Sequence, residues 1–250
     1  MSRYIAIENE IRCALAQIAG PDGLRDRLTH LVVPVSPIRG NEGAIIDLQP
    51  LVNVRADYPK TKPARYVAVW PSGEQVSPLG LIGTTVDFRE PLRLKPHTVP
   101  GAPAGWVYSA DSTPVMLSLN DPRVGEMIAW AHHRVICTCN AARMPDFAVR
   151  IRRRIADVKV VRLADVTAEE AKGAGLSCII KDGKTLKYGL ADRDGLPGTD
   201  NTGWPWDEWS TDPRVALEKM LRQKYRRMHG TSAAWVWLYK LARIEPGKQP

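Results

Sequence analysis

Three arginines at alternate positions, Arg150, Arg152 and Arg154, are the residues whose type and spacing point most directly to chemistry. On an extended strand they stand on one face about 6.5 Å apart, while Val149, Ile151 and Ile155 turn to the other. Guanidinium groups at that pitch can track successive phosphates of a nucleic acid, and each phosphate so neutralised makes binding more sensitive to salt. A solvated strand face balanced by acidic neighbours has the same pattern, and the two readings carry equal weight here. A second group is Trp204, Trp206 and Trp209, in the turn-rich stretch after Asp200-Asn201. Loop aromatics stack on bases at roughly 1–3 kcal/mol each. They also plug the end of a barrel, and Gly203 with Pro205 favours that compact arrangement.

Other chemistry is poorly represented. No phosphate-cradling Gly-x-x-x-x-Gly-Lys loop, His-Glu-x-x-His pair or Gly-x-Ser-x-Gly elbow occurs. His132, His133, Cys137 and Cys139 offer zinc donors, but the cysteines lack the usual two-residue gap. Cys137 reads better as a buried strand residue beside Val135 and Ile136, so neither a metal nor any other cofactor is expected.

The elements that must position these residues are short strands with few helices. Ser2 and the spacing of Ile7, Ile11, Leu15 and Ile18 predict an N-terminal helix that stops at Gly20-Pro21 and packs as an appendage. Pro34, Pro37, Gly40 and Gly43 mark a connection, which places a boundary at about residue 43. Thr85 to Glu90 alternates like a strand, and so does the longer run from Ala148 to Leu163. Thr167 and Glu170 have the spacing of a capping box before a short helix. Asp182-Gly183 predicts a two-residue hairpin turn. Asp212-Pro213 opens the clearest helix, with an apolar stripe of Leu217, Met220, Leu221, Tyr225 and Met228. Trp235 to Ile244 is apolar on both alternating sides, the signature of a central strand. Without a repeating βαβ spacing, the expected class is α+β, a barrel or sandwich with attached helices.

Composition agrees with a folded domain: of 250 residues, 44% are hydrophobic and 25% charged. No apolar run approaches the roughly 18–20 residues of a membrane span, and the first residues lack the apolar segment of a signal peptide. The expected location is therefore the cytoplasm. Four cysteines are too few and too irregularly spaced for a disulfide framework. The formal charge of +8 favours polyanionic partners.

In order along the chain, four stretches resemble the ASCH family of the PUA-like superfamily, particularly its long bacteriophage and prophage versions. Ile45-Ile46-Asp47-Leu48-Gln49-Pro50-Leu51-Val52 with Lys60-Thr61-x-x-x-Arg65 is similar to the opening strand and helix before the Lys-Thr-x-Thr-x-Arg motif. Gly83-x-x-Val86-x-Phe88-Arg89-Glu90-Pro91-Leu92 is similar to the Gly-Asp-x-Leu-Trp-Val-Arg-Glu strand. Arg143-Met144-Pro145-x-Phe147-Ala148-x-Arg150-Ile151 resembles the Met-Pro-Arg-Trp-Ala-Ser-Arg-Ile segment. Trp206 to Trp209, the helix from Asp212 and Trp235-Val236-Trp237 match the usual ending.

The resemblance spans residues 44–250 and implies a small PUA-like β-barrel with flanking helices, insertions around 95–145 and 181–210, and residues 1–43 as a helical extension. It implies a module that binds RNA, single-stranded DNA or a modified nucleoside through Lys60, Thr61, Arg65, Arg89, Arg150, Arg152, Arg154 and Trp206. Characterised enzymes of the family resemble small amidohydrolases of acetylated cytidine, which use the motif's Lys and second Thr and a later Glu. Here Pro63 stands at the second Thr position and Ala174 at the Glu. Such an activity would therefore fall to Lys60, Thr61 and Glu90. A third reading is a phage accessory or host-interaction protein whose ancestral pocket serves only as scaffold.

Overall fold

The alternating apolar pattern of the second half becomes the middle of a curled sheet. The computed structural model describes residues 3–20, 23–35, 47–51, 65–70, 73–95, 105–115, 122, 138–198, 202–225 and 234–244. In chain order the elements begin with β1 (Arg3–Ile5), α1 (Glu8–Leu15), β2 (Gln17–Gly20), β3 (Gly23–Asp26) and β4 (His30–Pro34). Then come β5 (Asp47–Leu51), β6 (Arg65–Trp70), β7 (Gly73–Val76), β8 (Thr85–Arg89), β9 (Leu92–Lys95), β10 (Gly105–Tyr108) and β11 (Thr138–Cys139). The last third holds β12 (Ile151–Arg162), α2 (Ala168–Lys172), β13 (Ser177–Ile180), β14 (Leu186–Gly189), α3 (Pro213–Lys224) and β15 (Trp235–Arg243).

Five strands form the principal sheet in the order β1-β8-β12-β15-β4, and only the β1–β8 pair is parallel. The architecture is α+β, a half-barrel sheet with few helices. β15 is central, as its two apolar sides require. Trp237 and Tyr239 pack with Val86, Phe88, Ile151 and Ile155 beneath Ile11 of α1. On the opposite face Val236 and Leu238 pack with Leu217, Met220 and Leu221 of α3. β12 carries an irregularity between Ile155 and Asp157, where an extra residue keeps apolar side chains facing inward on both sides of the break.

Local signals set several element ends. Thr167 accepts from the Glu170 N–H while the Glu170 carboxylate accepts from the Thr167 N–H, closing the capping box of α2. Asp212 caps α3, and Pro213 occupies its first turn, where no amide donor is needed. β13 and β14 form the expected hairpin, but Ile180 pairs with Leu186, so the loop has five residues (181–185) rather than two. The Asp182 carboxylate accepts from the Lys184 and Thr185 N–H groups at 3.0 and 2.7 Å, and this side-chain turn holds the wider loop.

The N-terminal segment differs from the predicted helical appendage. α1 is only eight residues long and has strands on either side. Tyr4 in β1 packs its ring edge-on to Phe88 at 5.1 Å, and Ile11 is fully buried. Pairing to β8 overrides the helical spacing, because the sheet edge supplies hydrogen bonds that a longer helix would forgo. β4, also before residue 43, forms the opposite edge, so the sheet draws on both sides of the expected boundary. Parts of the predicted insertions also build structure, with β10 and β11 flanking β9 and β14 completing the hairpin. No helix among the described residues is long and apolar enough to cross a membrane.

Candidate functional site

β-Register decides where the arginines go. Arg152 stands opposite Asp87 and Arg154 opposite Thr85, so these side chains share one face with Arg89, two residues beyond Asp87. Arg150 precedes β12 by one residue on the same side. The expected alternation is therefore present, but acids meet most of it.

Arg89 is 1% exposed and donates to the Met144 carbonyl and the Asp146 carboxylate. It faces the protein rather than an open groove. Arg150 donates through Nε to Glu90 Oε1 at 2.9 Å and through its terminal nitrogens to Asp111 at 2.7 and 3.1 Å. Its guanidinium also lies 4.0 Å from the centre of the Tyr108 ring. Arg152 reaches Asp87 at 3.1 Å and the Asp146 carbonyl at 3.2 Å while keeping its side chain 47% exposed. Arg154 is exposed and makes no ion pair with a described residue. Farther along the sheet, Lys159 on β12 and Lys240 on β15 are exposed as well. Lys159 pairs with Glu170 at 2.5 Å, and Lys240 stands opposite Asp157.

Glu90, expected as an acid–base group of the enzyme reading, is 1% exposed. Burial raises its pKa, against the lowering effect of the Ala110 N–H and Arg150. Arg150 occupies one carboxylate oxygen and the Ala110 N–H the other at 2.9 Å, so the group serves as a clamp between β8 and the 105–111 segment. Lys60 and Thr61 lie outside the described residues, as does Pro63. Arg65 opens β6 opposite Leu51, where only the backbone is described. Ala174 is buried in the core beside α2. His132, His133 and Cys137 are outside the described residues, and Cys139 is buried.

The tryptophans divide. Trp204 and Trp209 are buried beneath α3, with Trp204 Nε1 donating to Gln223 at 2.7 Å and Trp209 Nε1 to the Trp204 carbonyl at 2.9 Å. Trp206 is half-buried, with Trp209 at 5.7 Å and the Lys187 amine 4.8 Å from its ring. A base stacking there would displace Lys187.

Two charged residues that spacing does not single out, Glu10 and Lys224, form a further enclosed ion pair. Glu10 on α1 is 2% exposed, and its carboxylate accepts from Tyr4 Oη at 2.9 and 3.0 Å and from Lys224 Nζ at 2.9 and 2.8 Å. The Lys224 amine, on α3, sits 4.0 Å over the Tyr4 ring and is 10% exposed. Burial pushes Glu10 up to about 8 and Lys224 well below the usual lysine range, because each charged form loses water. The signal was present: Glu10 falls within the stripe of Ile7, Ile11 and Ala14, and Lys224 within that of Leu217, Met220 and Leu221. A charge inside an apolar stripe must be buried with a partner.

Comparison with protein-family models, curated proteins and solved structures gives no match for this chain.

Proposed function

We propose that the chain is a PUA-like module of the ASCH kind, and that the part of its sheet face beyond α3 binds single-stranded nucleic acid or a modified nucleoside. One observation carries the reading: Arg152, Arg154, Lys159 and Lys240 are all exposed on the neighbouring strands β12 and β15. Alternate residues stand about 6.5 Å apart, which sets the pitch of Arg152 and Arg154, while Lys159 lies farther along β12 and Lys240 on the neighbouring strand. Together with the interspersed Asp87, Asp157 and Glu170 they leave an exposed cationic surface for a phosphate backbone. The four motif stretches and the net charge of +8 support the same conclusion.

Arg89 and Arg150 act in this scheme as fixed supports, since their donors are held by Asp146, Glu90 and Asp111. The experiment is a titration of labelled RNA and single-stranded DNA oligonucleotides by fluorescence anisotropy over a series of salt concentrations. Affinity should fall steeply with salt, and Arg152→Ala with Arg154→Ala should flatten the logarithmic slope by about 0.7 for each phosphate contact removed. Absence of binding at low salt overturns the proposal.

A further inference from the structure

We propose that Lys224 supplies a reactive amine to a separate small-molecule site, and that this site takes neutral aldehydes or ketones as imines. A cavity of about 330 Å³ lies between the first turn of α1, the end of α3, Leu190 and Thr202. Its volume lies within the range of small-ligand pockets. Ile7, Leu190 and Met220 supply apolar wall, and Thr202, Gln223 and Lys224 supply polar groups. Trp204 donates to the Gln223 amide oxygen at 2.7 Å, which fixes that amide and leaves its NH₂ to donate to a ligand carbonyl.

Charge selects the ligand class. Glu8, at the same wall, is paired with Arg12 at 4.0 Å and Arg193 at 3.4 Å, and Lys224 is paired with Glu10. Among the lining residues themselves Glu8 and Lys224 cancel in formal charge, and the apolar side favours a short carbon chain. A pair serving stability alone has no need of open space beside it, yet here Lys224 is part of the cavity wall, and its amine is held by the Glu10 carboxyl group.

The chemistry closes on these groups. With the shared proton on Glu10, the Lys224 nitrogen carries a lone pair and attacks the carbonyl carbon, forming the C–N bond. One nitrogen proton passes through Glu10 to the carbonyl oxygen and yields a carbinolamine. Glu10 then protonates the hydroxyl, which leaves as water, and takes the second nitrogen proton as the C=N bond forms. Amine and carbonyl give imine and water, with no redox partner. Burial of the amine favours the neutral, nucleophilic form, and Tyr4 holds the Glu10 carboxyl in position.

The test is reductive trapping of the full-length protein with propionaldehyde and cyanoborohydride at pH 7, followed by peptide mass spectrometry. Lys224 is expected to acquire a single propyl group at least tenfold faster than the exposed lysines Lys181 and Lys184. Filling the cavity with Leu190→Trp should abolish the advantage, and Glu10→Gln should slow trapping at Lys224 about tenfold without altering the surface lysines. Trapping at Lys224 no faster than at Lys181 in the wild-type protein overturns the inference, whether or not the variants fold. Fast trapping that survives a folded Leu190→Trp variant overturns it too.

Discussion

Removing Lys224 should make the protein's stability depend on pH where the parent's does not. The argument starts from proton counts. In the unfolded chain between about pH 5 and 8, Glu10 is ionised (ordinary pKa 4.5) and Lys224 is protonated (ordinary pKa 10.5), so the pair carries one proton. In the folded protein the buried pair also carries one, shared across 2.8 Å. Equal proton uptake means no slope from this pair.

Lys224→Met leaves Glu10 alone, with its pKa raised to about 8 by burial. The folded state then holds a proton that the unfolded chain has released. That contribution is fully present below 4.5 and is lost as pH rises towards 8, at up to about 1.4 kcal/mol per pH unit, or about 4 kcal/mol between pH 5 and 8. Glu10→Gln leaves the depressed lysine alone, and the sign reverses: the contribution is present above 10.5 and is lost as pH falls. Each single variant should also cost about 3–5 kcal/mol at its unfavourable end, and Glu10→Gln with Lys224→Met together should restore a flat profile. Urea unfolding at pH 5, 6, 7 and 8 and constant ionic strength measures all four proteins. A pH-independent Lys224→Met variant, or two single variants whose slopes share a sign, would refute the reasoning.

Two further outcomes follow from geometry. Arg150→Ala should destabilise by about 2–3 kcal/mol in urea, because it leaves the buried Glu90 without its charged donor, whereas the exposed Arg154→Ala should stay within about 0.5 kcal/mol. Gly203→Ala should cost about 1–3 kcal/mol in the same assay, since its Cβ would meet the Ala191 carbonyl carbon at 2.5 Å and the Leu190 oxygen at 2.6 Å, and both are backbone atoms.

Legibility in the sequence followed the range of the interaction concerned. The capping box at Thr167 and Glu170, the Asp212 cap and the strand alternation around Ile151 and Ile155 involve neighbours a few residues apart, and the structure contains each of them. Arg153 shows how the same rule can be under-read. Alternation between Ile151 and Ile155 already puts it on the core side, where it is 7% exposed and donates to the Ala14 carbonyl at 2.7 Å, near the C-terminus of α1. The N-terminal helix was over-extended because its periodicity carries no information about β8, its partner more than eighty residues away.

Residue order by itself determined the class, the central place of Trp235–Arg243 and the common face of Arg150, Arg152 and Arg154, since pleat and periodicity are local geometry. Tertiary structure alone decided which charges are free. Asp87, Glu90, Asp111 and Asp146 reach the arginines from separate segments, and Glu10 meets Lys224 across 214 positions. Coulomb energy and desolvation depend on distance in space, which spacing along a chain does not encode.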